Sequence, residues 1–327
     1  MRKVFKILGI LLGIVIIFIA GAAIYIKTAL PDVGPPPDLK ITSTPDKIER
    51  GKYLANHVMI CMDCHSTRDW RYFAGPMTGD GLGMGGEVFD QSMGFPGSIH
   101  AANITPSGIG DWTDGEVFRA VTTGVRKNGK PIFPVMPYHN YGKVDPEDIQ
   151  AIITYVRSLP PIEHKVPESS YDFPMNFIIN TIPQKPQPAK RPPPSDRLAY
   201  GKYMVTSASC GECHTPFDKG QFDTTKFLAG GRTFGLPGGD VTSANLTPDK
   251  ETGIGNLSKE EFLTRFTSYR DSAYAHRQIE FMKDFATVMP WSVYAGMTDD
   301  DLSAIYEYLM SREPVKHKIV KFVPRNK

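Results

Sequence analysis

The chain has 327 residues, a length that suggests about two domains. Hydrophobic residues make up 41% and charged residues 22%, so the chain can form a packed core and is not of the disordered class. Its 37 Lys and Arg residues against 35 Asp and Glu residues leave a net charge of +2, which excludes the basic surface typical of nucleic-acid-binding proteins. The 28 prolines and 30 glycines favour a fold rich in loops.

The N-terminus carries an uncharged apolar segment. Residues 7–26 contain no charged side chain, and 20 residues in a helix span about 30 Å, the hydrocarbon thickness of a bilayer. Three basic residues precede this segment, so the positive-inside bias places the N-terminus in the cytoplasm and the rest of the chain on the periplasmic side of a bacterial inner membrane. We therefore predict a transmembrane anchor over residues 1–30. The alternative is a signal peptide cleaved near Ala20-Gly21-Ala22, although the apolar region of such signals is usually about 7–15 residues long.

Two proline-rich segments follow, one after the anchor and one near the middle of the chain. The first has five prolines within residues 31–45 and the second has six within residues 183–194. Proline lacks a backbone N–H and fixes φ, so neither segment can form a core helix or a central strand. We predict an extended stalk over residues 31–46 that holds the body away from the bilayer, and a linker over residues 166–196.

Five blocks of the first half recur in the same order in the second half. They are Gly51-Lys52-Tyr53 and Gly201-Lys202-Tyr203, Cys61 and Cys210, Asn103-Ile104-Thr105-Pro106 and Asn245-Leu246-Thr247-Pro248, Gly108-Ile109-Gly110 and Gly253-Ile254-Gly255, and Val135-Met136-Pro137 and Val288-Met289-Pro290. Such self-similarity marks a duplicated unit, and a period of about 150 residues is too long for a solenoid repeat. The sequence therefore predicts two copies of one domain, over residues 47–165 and 197–320.

Each copy has the same order of helix signals. Capping residues stand before short segments with apolar positions at helical spacing, and two of the signals are capping boxes with Glu at the third helical position. The predicted N-caps are Thr44, Thr113, Asp145, Ser195 or Asp196, Ser258 and Thr298. No long alternating pattern indicates strands, and the Gly-rich segments 75–97 and 220–239 are expected to be loops around a cofactor. The predicted fold class is all-α.

The four cysteines lie in two C-x-x-C-H motifs, the haem attachment signature. The motifs are Cys61, Cys64 and His65 in the first copy and Cys210, Cys213 and His214 in the second. In this motif both thiols add to the haem vinyl groups as thioethers, and the histidine binds the iron. We predict two covalently bound haem c groups, and the alternatives for the cysteines are a zinc site or disulfides.

The sixth ligand of each iron is predicted from the repeat. In small c-type cytochromes it is usually a methionine, and of the 13 methionines only Met136 and Met289 occupy matched positions. Each precedes a proline and then an aromatic residue. The predicted iron ligands are His65, Met136, His214 and Met289.

Several of these assignments have alternatives. Met136 and Met289 could be core methionines, since methionine commonly fills gaps in a core. Histidine could replace methionine on an iron, with His139 and His276 closest to the ligand segments in sequence. Asn103 and Asn245, which hold the same place in the repeat, could each bond a haem propionate or cap a turn.

These motifs resemble those of the cytochrome c subunits of membrane-bound bacterial dehydrogenases, of the alcohol and gluconate dehydrogenase type. The resemblance rests on ERGKYLANHVMICMDCHS, N-I-T-P, GIGDWTDGEVFRA, TGVRKNGKPIFPVMPYHNY and DPEDIQAIITYVRSLPP, in that order. It covers residues 47–165 and 197–315. It implies class I cytochrome c domains, His/Met ligation by the residues above, and electron transfer from a dehydrogenase toward quinone or a terminal oxidase, without catalysis of substrate chemistry by this subunit.

The chain also departs from that family pattern. It has two haem motifs where three are common, its anchor is N-terminal, and the second copy has an insert containing His276 between Phe262 and Met289. We expect an electron-transfer protein, not an enzyme, whose redox partners are a dehydrogenase, another cytochrome or a terminal oxidase, and which binds no nucleic acid. The alternatives are a di-haem cytochrome c peroxidase, which needs an open iron and acid–base residues above it, and the di-haem subunit of a terminal oxidase.

Overall fold

A computed structural model describes residues 2–280 and 282–325, so Met1 of the predicted anchor and Phe281 of the second repeat lie outside the described residues. Helices account for 42% of the chain. Those of the N-terminal half are α1 (Arg2–Thr28), α2 (Pro45–Tyr53), α3 (Cys61–Cys64), α4 (Pro106–Ile109), α5 (Asp114–Thr123), α6 (Tyr138–Tyr141) and α7 (Pro146–Arg157). Those that follow are α8 (Met175–Ile178), α9 (Arg197–Ser207), α10 (Cys210–Cys213), α11 (Lys259–Thr267), α12 (Ser272–Ala275), α13 (Trp291–Tyr294) and α14 (Asp299–Met310). A π-helical turn, Leu54–Val58, continues α2, and 3₁₀ turns span Gln91–Met93, Ile179–Thr181, Thr224–Lys226 and Ser268–Arg270.

Helix α1 contains the predicted apolar segment and extends it at both ends. None of its residues is buried. Within the described part of the chain it is the one helix that is long and apolar enough to cross a membrane. Its 27 residues exceed the roughly 20 that a bilayer requires.

The repeat helices begin at the predicted caps. Thr113 and Ser258 each form a complete capping box with the glutamate three residues later. Thr44, Asp145 and Thr298 accept hydrogen bonds from the first turn of their helices. Of the two candidates for the first helix of the second repeat, the cap is Asp196. These starts were predictable because each cap and its helix are adjacent in sequence.

In each repeat the first and last helices cross, α2 on α7 and α9 on α14. At the crossing, a Cβ on Gly51 would overlap the carbonyl oxygen of Ala151, and a Cβ on Gly201 would overlap that of Ala304. The glycine of the repeated Gly-Lys-Tyr block is therefore required by the close approach of two helix backbones.

The two repeats exchange equivalent hydrogen bonds across their interface. The Tyr203 hydroxyl donates to Asp148 Oδ2 at 2.7 Å, and the Tyr53 hydroxyl donates to the carboxylate of Asp301. Tyr53 and Tyr203 hold the same place in their repeats, as do the aspartates, which are buried at the N-terminal turns of α7 and α14. Each repeat thus supplies a donor to the other's last helix.

Each of these aspartates also has a partner within its own repeat. Arg50 Nη2 lies 2.8 Å from Asp148 Oδ2, and the Tyr200 hydroxyl donates to Asp301 Oδ1 at 2.8 Å. Arg191, from the segment between the repeats, adds a bond from Nη1 to Asp148 Oδ1 at 2.6 Å. The carboxylates are therefore compensated although they are buried.

The all-α prediction was incomplete, because short antiparallel strands lie in and beside the Gly-rich segments. The strands are β1 (Val88–Phe89), β2 (Gly97–His100), β3 (Ser170–Tyr171), β4 (Phe217–Asp218), β5 (Gln221–Phe222), β6 (Thr233–Leu236), β7 (Gly239–Thr242) and β8 (Phe322–Pro324). The sheet orders are β1-β2-β3, β4-β5 and β6-β7-β8. Strands of two to four residues carry no detectable alternation, and β3 and β8 come from outside the predicted domains.

The predicted stalk does not extend away from the first repeat but packs along it. Val33 is buried, the Ile41 N–H donates to Asp114 Oδ2 at 3.0 Å, and a Cβ on Gly115 would overlap the Pro37 carbonyl oxygen. The proline content correctly excluded helix and strand there. The segment is held because its few apolar side chains, such as Ile41, pack against the core.

The proline-rich linker also lies on the first repeat. The Gln187 N–H donates to the Gly142 carbonyl at 2.9 Å, and the Arg191 N–H donates to Asp145 Oδ2 at 2.8 Å. This part of the linker has no regular secondary structure. It lies along the connection between α6 and α7.

The insert of the second repeat, residues 271–288, docks on the first repeat. The Phe73 N–H donates to the Arg277 carbonyl at 3.0 Å, and the Ile279 N–H donates to the Arg71 carbonyl at 2.9 Å. The rings of Tyr72 and His276 meet edge to face with their centroids 5.1 Å apart. The departure from the repeat pattern therefore forms part of the interface between the repeats.

Candidate haem-binding sites

Each C-x-x-C-H motif forms a single helical turn that follows a residue in the left-handed backbone region. Ile60, before α3, has φ 47° and Ser209, before α10, has φ 55°. Non-glycine residues seldom adopt this conformation, and for a β-branched residue it is a true outlier. The same turn at the same position in both repeats sets the direction of the motif helix relative to the helix before it.

Both motif histidines are oriented by a backbone carbonyl. His65 Nδ1 lies 2.6 Å from the Ala102 oxygen, and His214 Nδ1 lies 2.7 Å from the Ala244 oxygen. A carbonyl only accepts, so Nδ1 carries the proton and Nε2 keeps its lone pair free to bind a metal. Burial lowers the pKa of both imidazoles, which favours this neutral form.

The four cysteines are unpaired in the structure. Burial raises the pKa of Cys61 and of Cys210 to about 12, and it raises the pKa of Cys64 and Cys213 as well. Within residues 2–280 and 282–325, no group of three or more His, Cys, Asp or Glu side chains is arranged to hold a metal ion.

A cavity of about 1180 Å³ lies at the second motif and reaches the first. Cys210, Cys213, His214 and Met289 line it, together with Cys64 of the first motif. Its volume exceeds the roughly 300–1,000 Å³ of most small-molecule pockets. The available thiols, the free Nε2 atoms and the size of the cavity fit a haem.

Of the remaining predicted residues of the first site, Met136 lies between two residues that line this cavity. Val135 and Pro137, which flank Met136, line its wall. Cys61, His65 and Met136 are themselves half-buried. All four predicted residues of the second site therefore line one cavity. From the first repeat, Cys64 and the two neighbours of Met136 line the same cavity.

The two alternative histidine ligands, His276 and His139, do not line the cavity that contains the second motif. His276 is exposed, and its Nδ1 lies 2.8 Å from the Ser272 carbonyl of its own helix. His139 is half-buried, with its ring centroid 4.4 Å from that of Tyr138.

The repeated asparagines cap turns. Asn103 Oδ1 accepts from the Thr105 N–H at 2.9 Å and Asn245 Oδ1 accepts from the Thr247 N–H at 2.9 Å. Each Nδ2 donates at 2.8 Å to the segment after its repeat's last helix, at Ile162 or Val315. The turn-cap alternative thus accounts for both side chains.

An acidic residue and an arginine accompany each motif, and sequence analysis missed both arginines. Asp63 Oδ2 lies 3.1 Å from Arg68 Nη1, and both side chains are buried. Glu212 holds the equivalent position in α10, and Arg232 Nη1 donates to its carbonyl at 2.6 Å. Burial raises the pKa of each carboxyl, and the neighbouring arginine opposes that shift.

Aromatic rings hold the two guanidinium groups. Arg68 lies 4.2 Å from the Trp70 ring centroid, and Arg232 lies 4.9 Å from that of Phe217. Such contacts suit partly desolvated arginines. The arginines stand at unequal distances from their motifs, so the repeat offered no signal that paired them.

The chain is similar in sequence to several known cytochrome c proteins. The chain is 30% identical over 296 residues to the alcohol dehydrogenase (quinone) cytochrome c subunit of Gluconacetobacter polyoxogenes, which covers 84% of this chain and 58% of that protein. It is 29% identical over 283 residues to the gluconate 2-dehydrogenase cytochrome c subunit of Pantoea cypripedii, covering 81% and 59%. It is 30% identical over 188 residues to a diheme cytochrome c-type protein of Cereibacter sphaeroides, covering 54% and 62%.

A search against models of protein families finds no match. The chain spans a little over half the length of the curated dehydrogenase relatives that it matches. Its likeness to them nevertheless extends through both repeats. The chain is therefore a relative of the cytochrome c subunits of alcohol and gluconate dehydrogenases, which confirms the resemblance that its motifs predict.

Proposed function

We propose that this chain is a membrane-anchored di-haem cytochrome c that relays electrons between a dehydrogenase or quinol-linked donor and a terminal acceptor. The observation that carries the proposal is the duplicated C-x-x-C-H turn, in which each histidine is oriented by a backbone carbonyl. Two covalently bound haem c groups are its cofactors, which the names of the relatives support. When bound, haem c supplies the reversible one-electron chemistry of its iron.

The residues of each repeat have separate tasks in this proposal. The cysteines provide the thioether sulfurs, and His65 and His214 present Nε2 to the metal. Ala102 and Ala244 fix the imidazole tautomer and ring orientation through their carbonyl oxygens. Each repeat then functions as a class I cytochrome c domain.

Met136 and Met289 are proposed as the sixth ligands. Their matched positions support this, as does the place of Met289 on the wall that also carries His214. With a methionine as its sixth ligand, neither iron would have a position open to peroxide, which favours electron transfer over the peroxidase alternative. No substrate chemistry is then assigned to this chain.

The shared cavity supports transfer between the two haems within one chain. Cys64 of the first motif and Cys213 of the second both line it. The hydrogen bonds between the repeats fix this arrangement, since Tyr203 and Tyr53 each donate to the other repeat. The chain can therefore hold both attachment sites in one geometry while its external partners change.

The location proposed for the haem repeats is the periplasmic side of a bacterial inner membrane. The long apolar helix α1, with basic residues before its uncharged segment, supports an N-terminus in the cytoplasm. The relatives named as dehydrogenase subunits make a dehydrogenase the first candidate partner. Another cytochrome or a terminal oxidase is the proposed acceptor.

The test is the absorption spectrum of the oxidised protein together with its mass. We expect a mass increase of two haems, and a sulfur-to-ferric-iron charge-transfer band that loses one haem's share in Met136→Ala and one in Met289→Ala. Met282→Ala is the control, since that side chain is 67% exposed and should leave the band unchanged. An unchanged band in both ligand variants would refute the methionine ligands, and a protein with one covalent haem or none would refute the proposal.

The peroxidase alternative is tested separately. We expect the purified oxidised protein to accept electrons from a reduced dye-linked donor but not to turn over hydrogen peroxide. Sustained peroxide consumption that requires the haems would replace electron relay with the peroxidase function.

A further inference from the structure

Exposed apolar side chains lie next to the end of the anchor helix. Phe173 is 81% exposed and Ile178 is 43% exposed, at the two ends of the segment that contains α8. The Phe173 and Phe177 rings meet edge to face, with centroids 6.4 Å apart. We call residues 173–178 the apolar lip.

The apolar lip contacts the anchor at a residue whose depth in a bilayer is set by the sequence. Lys27 is the first charged residue after the apolar segment 7–26, so in a membrane-spanning α1 its ammonium lies at the headgroup boundary. Lys27 Nζ donates to the Asn176 carbonyl at 2.6 Å and lies 4.7 Å from the centroid of the Phe177 ring. Asn176 and Phe177 therefore share the depth of Lys27.

We propose that the apolar lip inserts into the interfacial region of the same bilayer that α1 crosses, so that its partner is a phospholipid surface. This inference rests on the membrane anchor of the proposed function. A short apolar segment at the headgroup boundary gains by moving its rings out of water, and a lysine beside it pairs with lipid phosphates. No other partner is required to cover Phe173 and Ile178.

The contacts of the lip and the stalk orient the haem repeats relative to the membrane. The apolar lip follows β3, which pairs with β2 of the first repeat. The stalk is bound to the same repeat through Ile41 and Asp114. Two attachments to one bilayer restrict tilting of the haem repeats, whereas a free stalk would permit such tilting.

The experiment places a fluorescent probe on the lip in the full chain. The new thiol of Phe173→Cys is labelled with bimane, since the native cysteines are consumed by the haems, and the protein is reconstituted in phosphatidylcholine nanodiscs. Fluorescence is compared in matched discs with and without a lipid carrying a nitroxide high on its acyl chain. Tyr25→Cys on α1 is the membrane control, and Glu260→Cys, at an exposed position of α11, is the solvent control.

We expect the Phe173 and Tyr25 probes to lose most of their fluorescence with the nitroxide lipid and the Glu260 probe to keep it. Haem quenching is the same in both discs and cancels in the ratio. If the Phe173 probe stays bright while the Tyr25 probe is quenched, membrane insertion of the apolar lip is refuted but the membrane anchor is not. That result would indicate that a protein covers the apolar lip. If Tyr25 also stays bright, the anchor itself is refuted and the proposed function loses its membrane location.

Discussion

Gly51 and Gly201 set the separation of the first and last helices in their repeats. A methyl group at either position meets a carbonyl oxygen of the opposing helix, at Ala151 or Ala304. We expect Gly51→Ala and Gly201→Ala each to lower the free energy of unfolding by about 1–3 kcal/mol, the usual cost of overpacking. Urea unfolding followed by circular dichroism measures this cost.

The neighbouring lysines provide matched controls for the glycine variants. Lys52 and Lys202 follow the glycines on the same helices and are exposed. We expect Lys52→Ala and Lys202→Ala to change the free energy of unfolding by no more than about 0.5 kcal/mol. Glycine variants as stable as these controls would show that the helices can separate without cost.

His57 makes the stability of the interface between the repeats depend on pH. Its Nδ1 lies 3.2 Å from the Val293 carbonyl of the second repeat, and burial lowers the pKa of its imidazole, with Lys52 acting in the same direction. The unfolded chain therefore binds a proton more readily than the folded chain. Stability from the neutral ring is present above the unfolded pKa of about 6.5 and is lost as the pH falls below it.

We expect His57→Asn, whose amide can still donate to Val293, to flatten the loss of stability between about pH 7 and pH 5. The measurement is the urea midpoint at several pH values for the variant and the wild type. His276→Gln, at an exposed ring, is the comparison. Parallel pH profiles for wild type and His57→Asn would contradict the assignment.

At the scale of elements, the exchanged tyrosine–aspartate bonds join the first helix of one repeat to the last helix of the other. Tyr203→Phe leaves buried Asp148 one donor short, and Tyr53→Phe does the same to Asp301. We expect each change to cost about 1–3 kcal/mol of unfolding free energy. Chemical unfolding of both variants measures this, and Tyr274→Phe, at a half-exposed side chain, is the control.

A loss no larger than that of Tyr274→Phe would mean that the buried carboxylates find replacement donors. The double variant adds a second check. Its cost should equal the sum of the two single costs, because the tyrosines bind different aspartates.

The sequence predicted the helices well because their signals are local. Thr113 and Ser258 stand directly before the helices they cap. The short strands, and the docking of residues 271–288 on the first repeat, depend on pairings distant in sequence. Phe73 and Arg277 are far apart in the chain, and no motif joins them.

The part of the candidate sites that could be predicted is the part that shows as a fixed spacing of residues in the sequence. The C-x-x-C-H motifs and the matched methionines follow from counting residues. The roles of Ala102 and Ala244 could not be predicted, because any residue has a carbonyl that can orient a histidine. The arginine partners Arg68 and Arg232 were missed because a guanidinium can reach a carboxylate, as Arg68 does, or a backbone carbonyl, as Arg232 does, from many positions in the chain.

At the scale of the whole molecule, we expect the two repeats to stay together when the linker is cut. A protease site inserted between the exposed residues Gln184 and Lys185 breaks the chain outside the interface. The tyrosine–aspartate bonds and residues 271–288 still join the halves. Size-exclusion chromatography in detergent should show one species carrying both haems, and release of a single-haem fragment would contradict this.

The exchanged contacts of Tyr53 and Tyr203 also bear on the evolutionary origin of the chain. A pairing in which each partner gives the other the same contact is the isologous geometry of a homodimer around a twofold axis. Fusing the two subunits into one polypeptide frees each to diverge. Arg50 now stands where the other half has Tyr200, so Asp148 pairs with a cation at the position where Asp301 accepts from a hydroxyl. A true homodimer, with one sequence for both subunits, could not acquire that asymmetry.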